Sequence, residues 1–464
     1  MKKTLLLIIT LITYNVSSQN IALDNSFGTD GIAALDRVGS TGSYMTLQPD
    51  GKILFAGYLE ASGTNFIARL NADGSLDSTF ATNGYFNITG MSEDLLGITL
   101  LTNGEILFNF NFPAKLFKLD ANGNSVTTFG NNGEVDLSAQ SQDLRSVLIE
   151  PDNSILAIGH GHIIKLTSNG IIDSSFGIDG KVDTPISITI YANDNNLLSI
   201  ISAGLGGSGQ YKLVKKSTNG DLVTSFGTDG GVDITDLDND DTGFGLFTDN
   251  TGRIIVVTSR EAQLRITRYL QNGTIDTTFG QNGNLIENNN PPLLIDYKAN
   301  GNKLLFAGVT NLGQSPINAY IVQYNEDGTI DTDFNTEGFF IENTNTEEEI
   351  IDNIILINSE TFLVSGQYTD AGENYFVAKY IPANLSIADV DKIDEVHFLN
   401  PFENELNVYS ENEIKELSLL NLNGSVVKNV GGKTIDTSFV SKGIYFLKIA
   451  FEDGTTLVRK VIKK

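Results

Sequence analysis

The sequence has no cysteine, which excludes disulfides, a lipoprotein anchor and any metal site built on thiolates. It has no tryptophan either, which weakens the case for a sugar-stacking surface, although fifteen tyrosines keep that option open. Only three histidines are present, and none forms the helical pair of a zinc site. The sequence contains no Gly-x-Ser-x-Gly elbow and no phosphate-cradling glycine loop. Basic residues are scarce: 30 Lys and Arg stand against 57 Asp and Glu, a net charge of −27. A body this acidic repels nucleic acid and anionic lipid, and it suits cations or a basic partner. No stretch approaches the roughly 20 apolar residues of a spanning helix. Sustained i, i+3, i+4 apolar spacing is missing as well, so helices are not expected.

Glycine is plentiful, and its placement is periodic. A Phe followed four residues later by a Gly occurs seven times: Phe27/Gly31, Phe80/Gly84, Phe129/Gly133, Phe176/Gly180, Phe226/Gly230, Phe279/Gly283 and Phe334/Gly338. Spacing near 50 residues marks a repeat architecture. Residues that recur in every unit most simply build the unit, so specific chemistry is expected where units differ. Six positions before the Phe, Gly follows Asp or Asn in six units (Gly74, Gly123, Gly170, Gly220, Gly273, Gly328), the pairing of a tight turn with φ > 0. Three positions before it stands Asp24, Asp77, Asp173, Asp276 or Asp331, with Val126 and Val223 as exceptions. A short carboxylate there can accept backbone N–H groups of the following turn.

Each unit offers four strand-like runs, in the first Gly31–Asp36, Ser43–Gln48, Lys52–Gly57 and Asn65–Asn71. Seven units of four strands predict an all-β, seven-bladed β-propeller. The opening segment Leu23–Phe27 has no strand before it, and Tyr375–Ile381 is not followed by a Phe phrase. The two fragments are expected to complete one another and close the ring. The phrase Leu23–Gly31 and the strand Asp50–Gly57 resemble the delta-60 repeat family over residues 20 to about 381. That resemblance implies a repeat fold on secreted bacterial proteins and brings no catalytic residues.

The ends predict an address. Residues 1–18 read as a secretory signal peptide: Lys2 and Lys3, the apolar Leu5–Thr13, then Val16 and Ser18 before a cleavage point. Residues 19–385 are expected to form the propeller, 386–395 a polar linker and 396–464 a second domain. This last part carries nine basic and eight acidic side chains, so the acidity belongs to the repeats. Six short strands separated by turns such as Asn423-Gly424 predict a small immunoglobulin-like β-sandwich. Asn400-Pro401-Phe402, Glu405–Val408, Leu420–Gly424, Gly443-Ile444-Tyr445 and the Lys460-containing basic end resemble the type A C-terminal sorting domain of the Bacteroidota type IX secretion system. Leu399 and Asn421 depart from its favoured residues. The resemblance implies the secretion machinery as a partner, passage through the periplasm to the outer cell surface or medium, and removal of the domain after translocation.

Candidate sites are few. Asp236, Asp238, Asp240 and Asp241 place carboxylates at calcium-loop spacing, but Asp241 stands where such a loop needs Gly and Phe247 where it needs Glu. Otherwise no cofactor is expected. Asn71, Asp73 and Asp77 read as turn chemistry, His160 and His162 as a two-ligand pair lacking a third, and Phe108–Phe112 as a core-facing aromatic strand. A basic residue recurs in the last strand of six units (Arg69, Lys118, Lys165, Lys215, Arg268, Lys379), which reads as charge on an outer edge strand. The missing Trp removes the repeated Asp-box signature of sialidase propellers. The expectation is therefore a non-enzymatic binding, adhesion or structural module for an unidentified extracellular ligand, with a polysaccharide-active enzyme as the alternative. Its functional surface is expected on the face carrying the variable loops, such as Ser202–Gln210 and Asn311–Asn318.

Overall fold

The computed structural model describes residues 21–38, 43–59, 61–91, 95–159, 161–183, 186–191, 194–202, 211–234, 243–260, 263–288, 292–310, 317–335, 338–341, 349–369, 373–382, 396–398, 402–410, 413–421, 426–452 and 456–464. Among them there is no helix. The chain divides into two compact units, residues 1–385 and 386–464.

Among the described residues the first unit contains seven antiparallel sheets. The first sheet shows the pattern, with strands Tyr44–Leu47, Ile53–Leu59, Thr64–Leu70 and Tyr85–Ile88 in that order. Five more four-stranded sheets follow, opening with Leu95–Leu100, Ser146–Ile149, Ile186–Tyr191, Gly243–Thr248 and Leu293–Asn300. The second strand of a sheet is buried on both faces, as in Ile106–Phe110 and Ile155–Gly159, because the sheets stack face to face. This accounts for its unbroken apolar sequence, which a strand with one wet face would not show.

Successive sheets adjoin through their first strands, and the seventh returns to the first. The fifth and sixth share one core in which Phe247, Val257, Phe306 and Tyr324 meet. The seventh sheet is built from both ends of the unit. Glu349–Leu356, Phe362–Thr369 and Glu373–Pro382 come from the C-terminal side, and Ile21–Leu23 and Ile32–Val38 both pair with Glu373–Pro382. Phe27 and Leu35 are thereby buried with Phe55, Leu363 and Tyr375. The expected complementation of the two ends is what the register shows.

One detail of phase differs from the expectation. The strand after each Phe/Gly phrase is the outermost strand of the sheet that precedes it, so Ile32–Val38 belongs to the seventh sheet and not with Tyr44–Leu47. Residues 39–42 separate the two, and the φ > 0 turn at Gly31 returns the chain along its own sheet. Phe112 also departs from the expected aromatic strand. Phe108 and Phe110 are buried, but the strand ends at Phe110 and Phe112 is 46% exposed in a turn.

Among the described residues the second unit has two sheets, one of Val396–Phe398, Glu405–Ser410 and Thr434–Asp436, the other of Val426–Val430, Ile414–Leu420, Gly443–Phe451 and Thr456–Lys463. They enclose one apolar core containing Leu406, Val408, Leu417, Leu419, Leu447 and Ile449. Val396–Phe398 is a strand that the sequence pattern did not reveal.

Candidate functional site

The seven Phe side chains of the repeated phrase are all buried, each worth roughly 1.5–3 kcal/mol of apolar burial. The glycine six positions before the Phe carries φ between +79° and +89°, so its turn needs a residue without a side chain. It also has a second task. A Cβ on Gly123 would lie 2.7 Å from the Phe80 ring of the preceding sheet, and one on Gly273 3.0 Å from Phe226. In five phrases the amide after the Phe reaches the same turn: Gly28 N–H donates to the Asp73 carbonyl at 2.7 Å, and Gly227 N–H to the Asn272 carbonyl at 2.8 Å. The glycine thus lets one sheet press its turn onto the aromatic ring of its neighbour.

The recurrent basic residues complete this contact. They lie on the third strand of each sheet and not on its edge, which corrects the outer-strand expectation. Arg268 is 1% exposed; its Nε donates to Asp276 Oδ2 at 2.8 Å and its Nη2 to Thr278 Oγ1 at 3.2 Å. Its Nη1 reaches the Glu326 carbonyl of the following sheet, and its guanidinium lies 4.7 Å over the Phe279 ring. Arg69 repeats the arrangement with Asp77, Thr79, the Ala121 carbonyl and Phe80. One cation therefore joins a carboxylate, an aromatic face and the next sheet. Such a charge can be buried because each of its faces meets a partner.

Where the usual Asp is absent, the carboxylate comes from elsewhere. Lys118 pairs with Glu105 at 2.9 Å in the unit with Val126, and Lys215 with Asp194 at 2.5 Å in the unit with Val223. Lys165 uses Glu150, although Asp173 is present, and Lys379 closes the ring on Asp24 at 2.9 Å. Asp77 shows the electrostatic result. Burial pushes its carboxyl upward, but hydrogen bonds from Lys52 and Thr79 and the charge of Arg69 outweigh that and hold it far below the usual carboxylate range. The same carboxylates accept the backbone N–H two residues on, at 3.0 Å for Thr79 and 3.1 Å for Thr278, as the turn reading expected.

The sixth sheet breaks the pattern. Gln323 stands where the other sheets carry Arg or Lys, and its Nε2 donates to Asp331 Oδ2 at 2.6 Å. Lys303, the first residue of the second strand, reaches the same oxygen at 2.6 Å. Phe334 is 9% exposed, the most of the seven. Beside it opens a cavity of about 510 Å³ bounded by Lys303, Gln323, Asp331, Asp333, Phe334 and Glu360. That volume lies within the range of small-molecule sites. It lies on the face of the short repeated turns, where Ile21 and Pro382 of the closing seventh sheet pair.

Asp236, Asp238, Asp240 and Asp241 lie outside the described residues, as do His160, residues 1–18, most of the variable loops, Asn400, Pro401 and Gly424. His162 bonds Asp183 through Nδ1 at 2.9 Å. In the second unit Phe402 is 2% exposed, its amide donates to the Ile462 carbonyl at 2.9 Å, and the Lys464 amide donates back to it at 3.0 Å. Gly443 opens a strand, Tyr445 Oη donates to the Ser441 carbonyl at 3.0 Å, and Lys460 pairs with Phe446 in the backbone register.

The domain-of-unknown-function DUF5122 β-propeller family matches at residues 48–80, 250–279 and 302–334. The chain carries DUF5122 β-propeller repeats. A secretion system C-terminal sorting domain matches at residues 398–464. The tail implies a Bacteroidota protein handled by the type IX secretion machinery and delivered to the outer cell surface or released from it. Among the described residues no helix is long and apolar enough to cross a membrane. No curated protein matches the sequence significantly.

Several solved structures resemble the propeller distantly. Virginiamycin B lyase of Staphylococcus aureus, in an inactive form with quinupristin, is 14% identical over 75% of this chain and 98% of that one, with a TM-score of 0.47. YCF48 of Cyanidioschyzon merolae is 12% identical over 74% and 98%, with a TM-score of 0.44. A puromycin hydrolase is 11% identical over 96% and 62%, with a TM-score of 0.45. Two of these proteins are named as enzymes, which decides nothing about catalysis here.

Proposed function

We propose that the propeller is a non-catalytic binding module presented at the outer cell surface by its sorting domain. One observation carries this reading. The charges that recur around the ring are held in cation–carboxylate clasps, four of them also over a phenylalanine ring, which makes them parts of a rigid scaffold instead of reacting groups. A scaffold of this kind positions loops and irregular units for recognition. The test is to display the full chain on the native host and challenge it with a panel of surface polysaccharides and secreted proteins. Saturable retention without turnover is expected. Release of reducing ends from any glycan replaces the binding reading with the hydrolase one.

A further inference from the structure

Six of the seven sheets place an arginine or lysine at one position of the third strand, and four of these cations stand over the Phe ring of their own phrase at 4.7–5.8 Å. Gln323 is the exception. Asp77 of the first sheet receives two cations on Oδ2, Lys52 and Arg69, each at 2.8 Å. Asp331 of the sixth sheet receives one, Lys303, with the neutral Gln323 amide in place of the guanidinium. The Gln323 side chain is turned toward Asn300, whose Nδ2 donates to Gln323 Oε1 at 2.8 Å. Among the described residues no cation lies over Phe334 and no glycine of a following turn covers it. The cavity of about 510 Å³ opens at this point, with Asp333 and Glu360 adding two carboxylates to Asp331.

We propose that this cavity binds a guanidinium or alkylammonium group from outside the chain, set over Phe334 and held by Asp331, Asp333 and Glu360. The ligand group supplies the contact that Arg69 and Arg268 supply internally in their own sheets. Stacking on the ring adds to the carboxylate attraction, because the ring face is electronegative. The acidity of the whole chain, −27, raises the local concentration of such cations before they dock. This inference rests on the binding reading and gives it a site and a ligand chemistry.

Calorimetry on the full chain at low salt tests it, with N-acetyl-arginine amide, agmatine and an arginine-containing pentapeptide as probes and the citrulline amide as the neutral control. Binding of the arginine probes at least about tenfold tighter than citrulline is expected. Tighter binding of the pentapeptide points to a basic protein partner as the source, and tighter binding of agmatine to a free guanidine. Gln323→Arg should reduce binding at least about tenfold, because its own guanidinium then fills the cavity, and should raise the melting temperature. Should Gln323→Arg not fold, the pair Asp333→Asn and Glu360→Gln serves instead, each expected to weaken binding several-fold. No heat with the wild type, equal affinity for citrulline, or binding unchanged in these variants overturns the proposal. A surface partner retained equally by wild type and Gln323→Arg would leave the binding reading standing and remove this site from it.

Discussion

Replacing Arg268 with leucine removes a cation that is 1% exposed from a carboxylate, Asp276, that is 5% exposed. The lost contacts are the Asp276 pair at 2.8 Å, the Thr278 bond at 3.2 Å, the Glu326 carbonyl and the Phe279 ring. Breaking one side of a buried pair costs about 3–5 kcal/mol, since the partner charge is left without compensation. About 360 residues at about 2.1 cal/mol/K each give an unfolding entropy near 0.75 kcal/mol/K, so the melting temperature should fall by about 4–7 °C if the propeller unfolds as one unit. Arg268→Gln should cost less, about 1–2 kcal/mol, because a glutamine amide can still donate to the carboxylate as Gln323 does to Asp331. The double variant Arg268→Leu/Asp276→Leu should be more stable than Arg268→Leu alone, because it buries no orphan charge. Urea denaturation of the four proteins, followed by tyrosine fluorescence, measures these differences. A cost below about 1 kcal/mol for Arg268→Leu, the value of an exposed pair, would refute the clasp as a buried interaction.

Three further outcomes follow from the same geometry. Ala81 holds φ +44° where five other phrases have Gly, so Ala81→Gly should stabilise the protein by about 0.5–1 kcal/mol in thermal unfolding. Gly123→Ala combines a φ of +86° with a Cβ 2.7 Å from the Phe80 ring, and should cost about 2–4 kcal/mol by the same assay. Asp352 sits on the first strand of the seventh sheet and accepts the Ser43 amide at 2.8 Å and its hydroxyl at 3.0 Å. Burial raises its pKa to about 6, against the lowering by the two Ser43 bonds. A carboxyl whose folded pKa is raised binds more protons in the native state, so its contribution to stability falls as pH rises from about 4 to 6 and is constant above. Asp352→Asn should therefore be more stable than wild type by about 1–3 kcal/mol at pH 7, with the difference gone by pH 4. A difference independent of pH would show that Asp352 is ionised without cost.

The sequence alone determined the architecture, because the signals that specify it are local. A Gly with φ > 0 after Asp or Asn, a carboxylate capping the amide two residues on, and an apolar strand with no polar alternation each act within a few residues. Their recurrence near every 50 positions follows directly from reading the chain. The complementary ends Leu23–Phe27 and Tyr375–Ile381 were legible for the same reason, since an incomplete repeat shows as a missing part. The sorting tail was legible through motif order.

Tertiary structure decided what the recurrent charges do. Arg69 and Lys118 look like surface cations in sequence because their carboxylates stand at unrelated offsets, Asp77 in one unit and Glu105 in the other. The neighbouring sheets that bury them are one whole repeat away. Gln323 carried a readable signal, as the one neutral residue among six cations. The cavity beside it, however, depends on the sixth sheet meeting the ends of the unit across the closing seam. Burial at a seam between sheets is set by packing over long sequence separations, and no local propensity encodes it.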